Sequence, residues 1–131
     1  MADNKLIKEE RLYSKKLIDR LFRERVSLFS YPFKVLYISE EQASAYPAKM
    51  LISVSKRHFK KAVDRNLIKR LVREAYRNNK QTLVSYLNTH NKSLFFGLIY
   101  VSDTILGYEE IERKLILILQ RLIEQDEDHI R

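Results

Sequence analysis

The 131-residue chain has no cysteine, which excludes disulfides, thiolate nucleophiles and thiolate metal sites, and fits a reducing compartment. Two glycines are too few for a glycine-rich phosphate loop. The three histidines, His58, His90 and His129, are scattered, and none stands four residues from another ligand. No serine occupies a nucleophile elbow. There is no run of about 18 apolar residues to span a membrane, and the N-terminus, MADNKLIKEERLYSKK, lacks the apolar core of a secretion signal. A cytoplasmic location is therefore expected. The length suits one domain over residues 1–131, with 1–10 and 126–131 expected to be flexible. A hydrophobic content of 45% excludes a wholly disordered basic chain.

What the chain does have is one concentrated block of positive charge. From Lys56 to Lys80 it carries ten Lys and Arg against Asp64 and Glu74, an excess equal to the +8 of the whole sequence. The remainder is balanced, so the charge is local, as expected of a surface that meets a polyanion. The spacing predicts a helix from about Arg65 to Lys80, with Asp64 as N-cap. Leu67, Ile68, Leu71, Val72 and Ala75 share its apolar face. Arg65, Asn66, Lys69, Arg70, Arg73, Arg77 and Lys80 share an arc of about 140° on the other side. Like charges three and four residues apart repel, and a merely solvated face interleaves Glu with Lys. Phosphates would neutralise the cluster. Five of the ten cations are Arg, whose planar fork suits bidentate phosphate contacts.

The run Ala62-Val63-Asp64-Arg65-Asn66-Leu67-Ile68-Lys69-Arg70-Leu71-Val72-Arg73-Glu74, with Ser53-Val54-Ser55-Lys56-Arg57 upstream, resembles the signature of the bacterial ribonuclease P protein component, A-V-x-R-N-x-x-K-R-x-x-R-E. A weaker likeness reaches Arg11-Leu12, the helix ending Leu21-Phe22 and the strand Phe33 to Ile38. One departure is Phe59-Lys60-Lys61, which stands where the family usually has a Gly two residues before the Ala. Phe59 is expected to pack inward there, with Lys60 and Lys61 extending the basic surface. The resemblance implies an RNA-binding surface of Lys56, Arg57, Lys60, Lys61, Arg65, Asn66, Lys69, Arg70, Arg73 and Arg77. It also implies a cleft for the single-stranded leader of precursor tRNA, with Ile18, Phe22 and Tyr37 as its candidates. Its partners would be a catalytic RNA subunit and precursor tRNA, with no DNA and no membrane. Catalysis and Mg2+ would belong to the RNA, with no catalytic residue, metal or cofactor on the protein.

Along the rest of the chain, Leu12, Leu17, Ile18, Leu21 and Phe22 predict a helix with Ser14 as N-cap. Lys15, Lys16, Arg20, Arg23 and Arg25 make it a milder basic surface. Tyr31-Pro32 is a breaker. Strands are predicted at 33–38 and 49–54, antiparallel to each other, and a buried central strand at 94–101, where Gly97 marks close packing or a bulge. A helical continuation is expected over 81–87, and a final helix runs from about Tyr108 to Gln125. Its Glu109, Glu110 and Glu112 suit the dipole of the first turn better than a metal. The order α-β-β-α-β-α predicts an α+β fold, a two-layer α/β sandwich with the basic helix in a parallel β-α-β crossover. The resemblance assigns it to the fold type named for the second domain of a small-subunit ribosomal protein, with a left-handed crossover.

No catalytic constellation is visible. His58 has basic neighbours but no carboxylate to orient it, and Asp64 and Glu74 are ten residues apart, too few and too distant for Mg2+ beside the basic patch. Two readings stay open on the sequence alone: the protein subunit of an RNA-based endonuclease, and a non-enzymatic RNA-binding ribosomal or assembly protein. A DNA-binding regulator is weaker, since neither a helix-turn-helix pair nor a dimerisation stripe is evident.

Overall fold

The chain runs α1 (Lys15–Glu24), β1 (Ser27–Ser30), β2 (Phe33–Glu40), β3 (Ala48–Val54), α2 (Ala62–Asn79), α3 (Gln81–Thr89), β4 (Ser93–Tyr100) and α4 (Tyr108–Ile130). This is a computed structural model, and it describes Glu10, residues 15–24 and residues 27–130. The proposed N-cap Ser14, together with Leu12 and Arg25, lies outside the described residues.

The four strands form one sheet in the order β1-β2-β4-β3. β4 is its axis, antiparallel to β2 and parallel to β3. It is rich in apolar residues on both parities because both of its faces are covered. The parallel β3–β4 pair brackets the basic helix, as the α-β-β-α-β-α pattern implies. β2 and β3 run in opposite directions but do not pair, because β4 lies between them. Sequence neighbours usually pair, and that rule misplaces these two strands. β1 is a further departure. Its four residues form a hairpin with β2 around a cis Tyr31-Pro32 bond, so the expected breaker is a turn within the sheet.

Alternation along the strands separates two apolar clusters. Phe33, Val35, Met50, Phe96 and Leu98 face α2 and α4 and meet Ile68, Val72, Ile111, Leu115 and Ile118. On the other face, Leu36 and Ile38 join Leu21 of α1, with Leu17, Ile18, Leu51, Phe95 and Ile99 packed around them. Gly97 lets Leu21 approach β4 closely, and the β2–β4 register passes through it without a bulge. Tyr37 falls in the first cluster, only 6% exposed. The expectation that it shares a cleft with Ile18 and Phe22 is therefore overturned. Strand period puts it on the opposite face from them.

Two residues from segments expected to be flexible, Glu10 and Asp126, are buried and hydrogen-bonded. α4 continues past Gln125, and Asp126 is 4% exposed, accepting from Lys92 Nζ at 2.7 Å, Ser39 Oγ at 2.8 Å and the Tyr86 hydroxyl at 2.5 Å. This cluster joins β2, α3, the connection leading into β4, and α4. At the other end, both carboxylate oxygens of Glu10 accept from Lys80 Nζ at 2.8 Å. Lys80 is thus a buried residue at the α2–α3 junction and not part of the basic arc.

Candidate nucleic-acid interface

α2 begins three residues earlier than expected. Its N-cap is Lys61, without a side-chain cap, and Asp64 lies inside the first turn, where its carboxylate still complements the dipole. Ile68, Val72, Ala75 and Tyr76 are its buried stripe. That stripe faces the sheet and α4, and so turns Asn66 and Arg70 fully outward, with Lys69, Arg65, Arg73 and Arg77 half-exposed beside them. Most of the predicted arc is therefore assembled on one face.

Its members are not equivalent. Arg65 donates through Nη1 to the carbonyl oxygens of Phe59 and Lys60, at 2.7 and 2.9 Å. It holds the turn into the helix as well as contributing charge. Arg77 is paired with Glu74 across one helical turn, with its Nε 3.2 Å from Oε2. Hydrogen bonding from Arg77 holds the Glu74 carboxyl below its usual range. The net positive field accordingly weakens toward the end of α2, contrary to the uniform arc expected from spacing alone.

Ahead of the helix, Ser55 organises a tight turn. Its carbonyl accepts from the Phe59 amide at 3.1 Å and its hydroxyl from the Arg57 amide at 3.0 Å. Lys56, Arg57 and His58 project outward from this turn, and Lys60 and Lys61 are also exposed. Phe59 points in, 7% exposed, with its ring 6.1 Å from that of Tyr100. Among the described residues, the one non-glycine with positive φ is Asn91. The turn thus needs no left-handed residue, which explains how it forms without the family's usual Gly. An inward aromatic and the Arg65 bonds secure it instead.

A second surface lies on the α1 face of the sheet. Phe22 is 43% exposed and, with Ser27, Lys34, Leu36 and Ile99, lines an open cavity of about 480 Å3. Ile18 is half-buried against the cluster beneath α1. Lys34 and Leu36 were missed from the sequence, although they have the parity in β2 opposite to Phe33, Val35 and Tyr37. For Tyr37, burial first and the Asp126 carboxylate second push the hydroxyl pKa up, as befits a core residue. Among the described residues, no three His, Cys, Asp or Glu side chains are grouped closely enough to hold a metal. Glu112, read with the dipole-facing residues, accepts from Tyr108 Oη and Asn79 Nδ2, and so joins α4 to α2.

A family model for ribonuclease P matches residues 6–122. The chain belongs to the ribonuclease P protein family. Among its relatives, the ribonuclease P protein component of Porphyromonas gingivalis is 40% identical over 111 residues, covering 84% of this chain and 80% of the relative. That of Chlorobaculum tepidum is 32% identical over 129 residues, covering 92% and 84%. The ribonuclease P protein of Thermotoga maritima superposes with a TM-score of 0.66 at 26% identity, over 86% of this chain and 96% of that one. The Staphylococcus aureus ribonuclease P protein has the same fold, with a TM-score of 0.62 at 21% identity over 86% and 94%. In ribonuclease P terms, the exposed face of α2 carries the signature residues, and the cavity beside α1 is a separate surface. No helix among the described residues is long and apolar enough to cross a membrane.

Proposed function

We propose that this ribonuclease P protein is the RNA-binding subunit of an endoribonuclease that removes the 5′ leader of precursor tRNA, and that the catalytic RNA carries the chemistry and the Mg2+. The carrying observation is the family match over residues 6–122, whose signature cations Arg65, Lys69, Arg70 and Arg73 are gathered on one solvent-facing side of α2. On this reading, that face and the Lys56–Lys61 turn bind the RNA subunit. Each phosphate neutralised by Lys or Arg releases condensed counterions, which drives association and makes it salt-sensitive. The cavity by Phe22, Lys34 and Ile99 takes the single-stranded leader, where an exposed ring stacks on a base and Lys34 meets a phosphate. The protein lowers the repulsion between two RNAs that must meet, and its own side chains bind and position without breaking a bond.

The test is reconstitution. The protein, combined with a cognate or heterologous ribonuclease P RNA, is expected to promote leader removal from precursor tRNA at Mg2+ concentrations where the RNA alone is slow. No stimulation, together with no salt-dependent binding to that RNA, would overturn the reading.

A further inference from the structure

The β1–β2 hairpin extends the α1 face beyond the cavity. Phe29 on β1 is paired with Lys34 on β2, Lys34 with Ile99 on β4, and Ile99 with Ser53 on β3. Directly paired residues point to the same face of a sheet. The four therefore form one row across all the strands, about 14 Å long at the usual strand spacing. Leu21 seats α1 on the next row, at Leu36 and Gly97, which leaves the Phe29 row beyond it. One end of the row is Phe29, 57% exposed. The other end, at Ser53, leads through Val54 and Ser55 into the basic turn of Lys56 and Arg57.

We propose that Phe29 is a second base-stacking platform, which binds a leader nucleotide farther from the RNA-subunit interface than the one stacked on Phe22. The inference rests on the cavity being the leader site. Two exposed rings, Phe22 and Phe29, flank Lys34, an exposed cation that complements the phosphate between two bases. Base–aromatic stacking tolerates any sequence, since every base presents a π-face. The platform is fixed in advance, because the Phe29 carbonyl oxygen accepts from Arg121 Nη1 of α4 at 2.7 Å. That bond involves the backbone only, and so survives substitution of the ring. A strand edge of four residues with a large exposed ring is otherwise a liability for association, and a nucleic-acid contact gives the ring a purpose.

The experiment measures Kd of the reconstituted holoenzyme for precursor tRNAs whose leaders lengthen one nucleotide at a time, and for mature tRNA. The proteins are wild type, Phe22→Ala, Phe29→Ala, Phe29→Trp and Tyr46→Ala. Tyr46 is an exposed aromatic in the β2–β3 connection, at the opposite end of the sheet, and serves as control. Phe22→Ala is expected to weaken binding once the leader reaches the cavity. Phe29→Ala should lower affinity on the order of tenfold only for longer leaders. Phe29→Trp should retain that affinity, Tyr46→Ala should match wild type, and mature tRNA should bind all five alike. If Phe22→Ala is impaired while Phe29→Ala matches wild type at every length, the platform is refuted and the cleft stands. Should affinity be independent of leader length in every protein, the cleft reading fails first and the platform with it. An equal drop on mature tRNA, or a lower Tm for Phe29→Ala, would assign Phe29 a structural role and also overturn the proposal.

Discussion

Leu21 Cδ2 lies 3.2 Å from the point where a Cβ on Gly97 would stand. This close approach seats α1 on the central strand, and Leu21 is 1% exposed, so it has little room to yield. Gly97→Ala is expected to cost about 1 kcal/mol, at the low end for overpacking. Because the strain falls on α1, leader affinity should drop while affinity for the RNA subunit holds. Thermal melts and separate titrations with precursor tRNA and the RNA subunit check both halves.

The bonds from Arg65 to the carbonyls of Phe59 and Lys60 predict a substitution that affects stability and binding together. Arg65→Ala should lower stability by about 1–2 kcal/mol, since these are charge-assisted bonds to a partly exposed turn, and should weaken RNA binding as well. Phe59→Ala should affect stability most, by about 3 kcal/mol for a buried ring. Lys60→Ala with Lys61→Ala should affect affinity alone. Denaturant melts and RNA titrations of all three separate these outcomes.

Lys69→Ala with Arg70→Ala tests the outward face of α2. Arg70 projects from the side opposite Ile68 and Val72, and Lys69 is half-exposed on the flank of that face, so Tm should change little. The slope of log affinity for the RNA subunit against log salt should flatten by about 0.9 for each phosphate that is no longer neutralised. An unchanged slope would place the phosphates elsewhere.

The Asp126 cluster predicts an acid-sensitive C-terminal helix. Burial by itself raises the pKa of this carboxyl, but hydrogen bonds from Lys92, Tyr86 and Ser39 outweigh it and the net shift is downward. A carboxyl lowered by folding binds protons more readily in the unfolded chain. Its contribution is therefore complete above pH of about 4 and is lost as pH falls through the depressed value. Asp126→Asn should remove that part of the pH dependence and leave Lys92 buried without its counter-charge, at a cost of about 3–5 kcal/mol at neutral pH. Unfolding free energy measured from pH 3 to 7 for both proteins tests the sign and the window.

Tyr37→Ala is expected to act on stability, by about 3–5 kcal/mol, and to change precursor and mature tRNA binding equally. Phe22→Ala should do the reverse. A selective weakening of precursor binding at unchanged Tm for Tyr37→Ala would contradict its place in the core.

These two residues also show where the sequence was legible and where it was not. Period alone separated the buried stripe of α2 from its cations, because Ile68, Val72 and Arg70 fall on plainly different sides of a long helix. β2 offers no such contrast. Phe33, Val35 and Tyr37 are apolar on one parity and Leu36 and Ile38 on the other, since both faces of the strand are covered. Phase then depends on which helix covers which face, a tertiary fact. β1 was hidden for another reason: Ser27–Ser30 is too short to show alternation and is defined by its pairing with β2. Lys80 and Asp126 looked like members of a charged arc and a charged tail. Their partners, Glu10 and Lys92, are 70 and 34 residues away, beyond any local pattern.

The order β1-β2-β4-β3 also governs when the protein becomes competent during synthesis. β2 and β3 have no shared edge until Ser93–Tyr100 slides between them, so a nascent chain that ends at α3 exposes its basic helix with no sheet to hold it. Emergence of β4 from the ribosome supplies the strand that both neighbours need. An early-truncated product should therefore be an unfolded polycation and not a partly active protein, prone to indiscriminate adhesion to RNA and to aggregation.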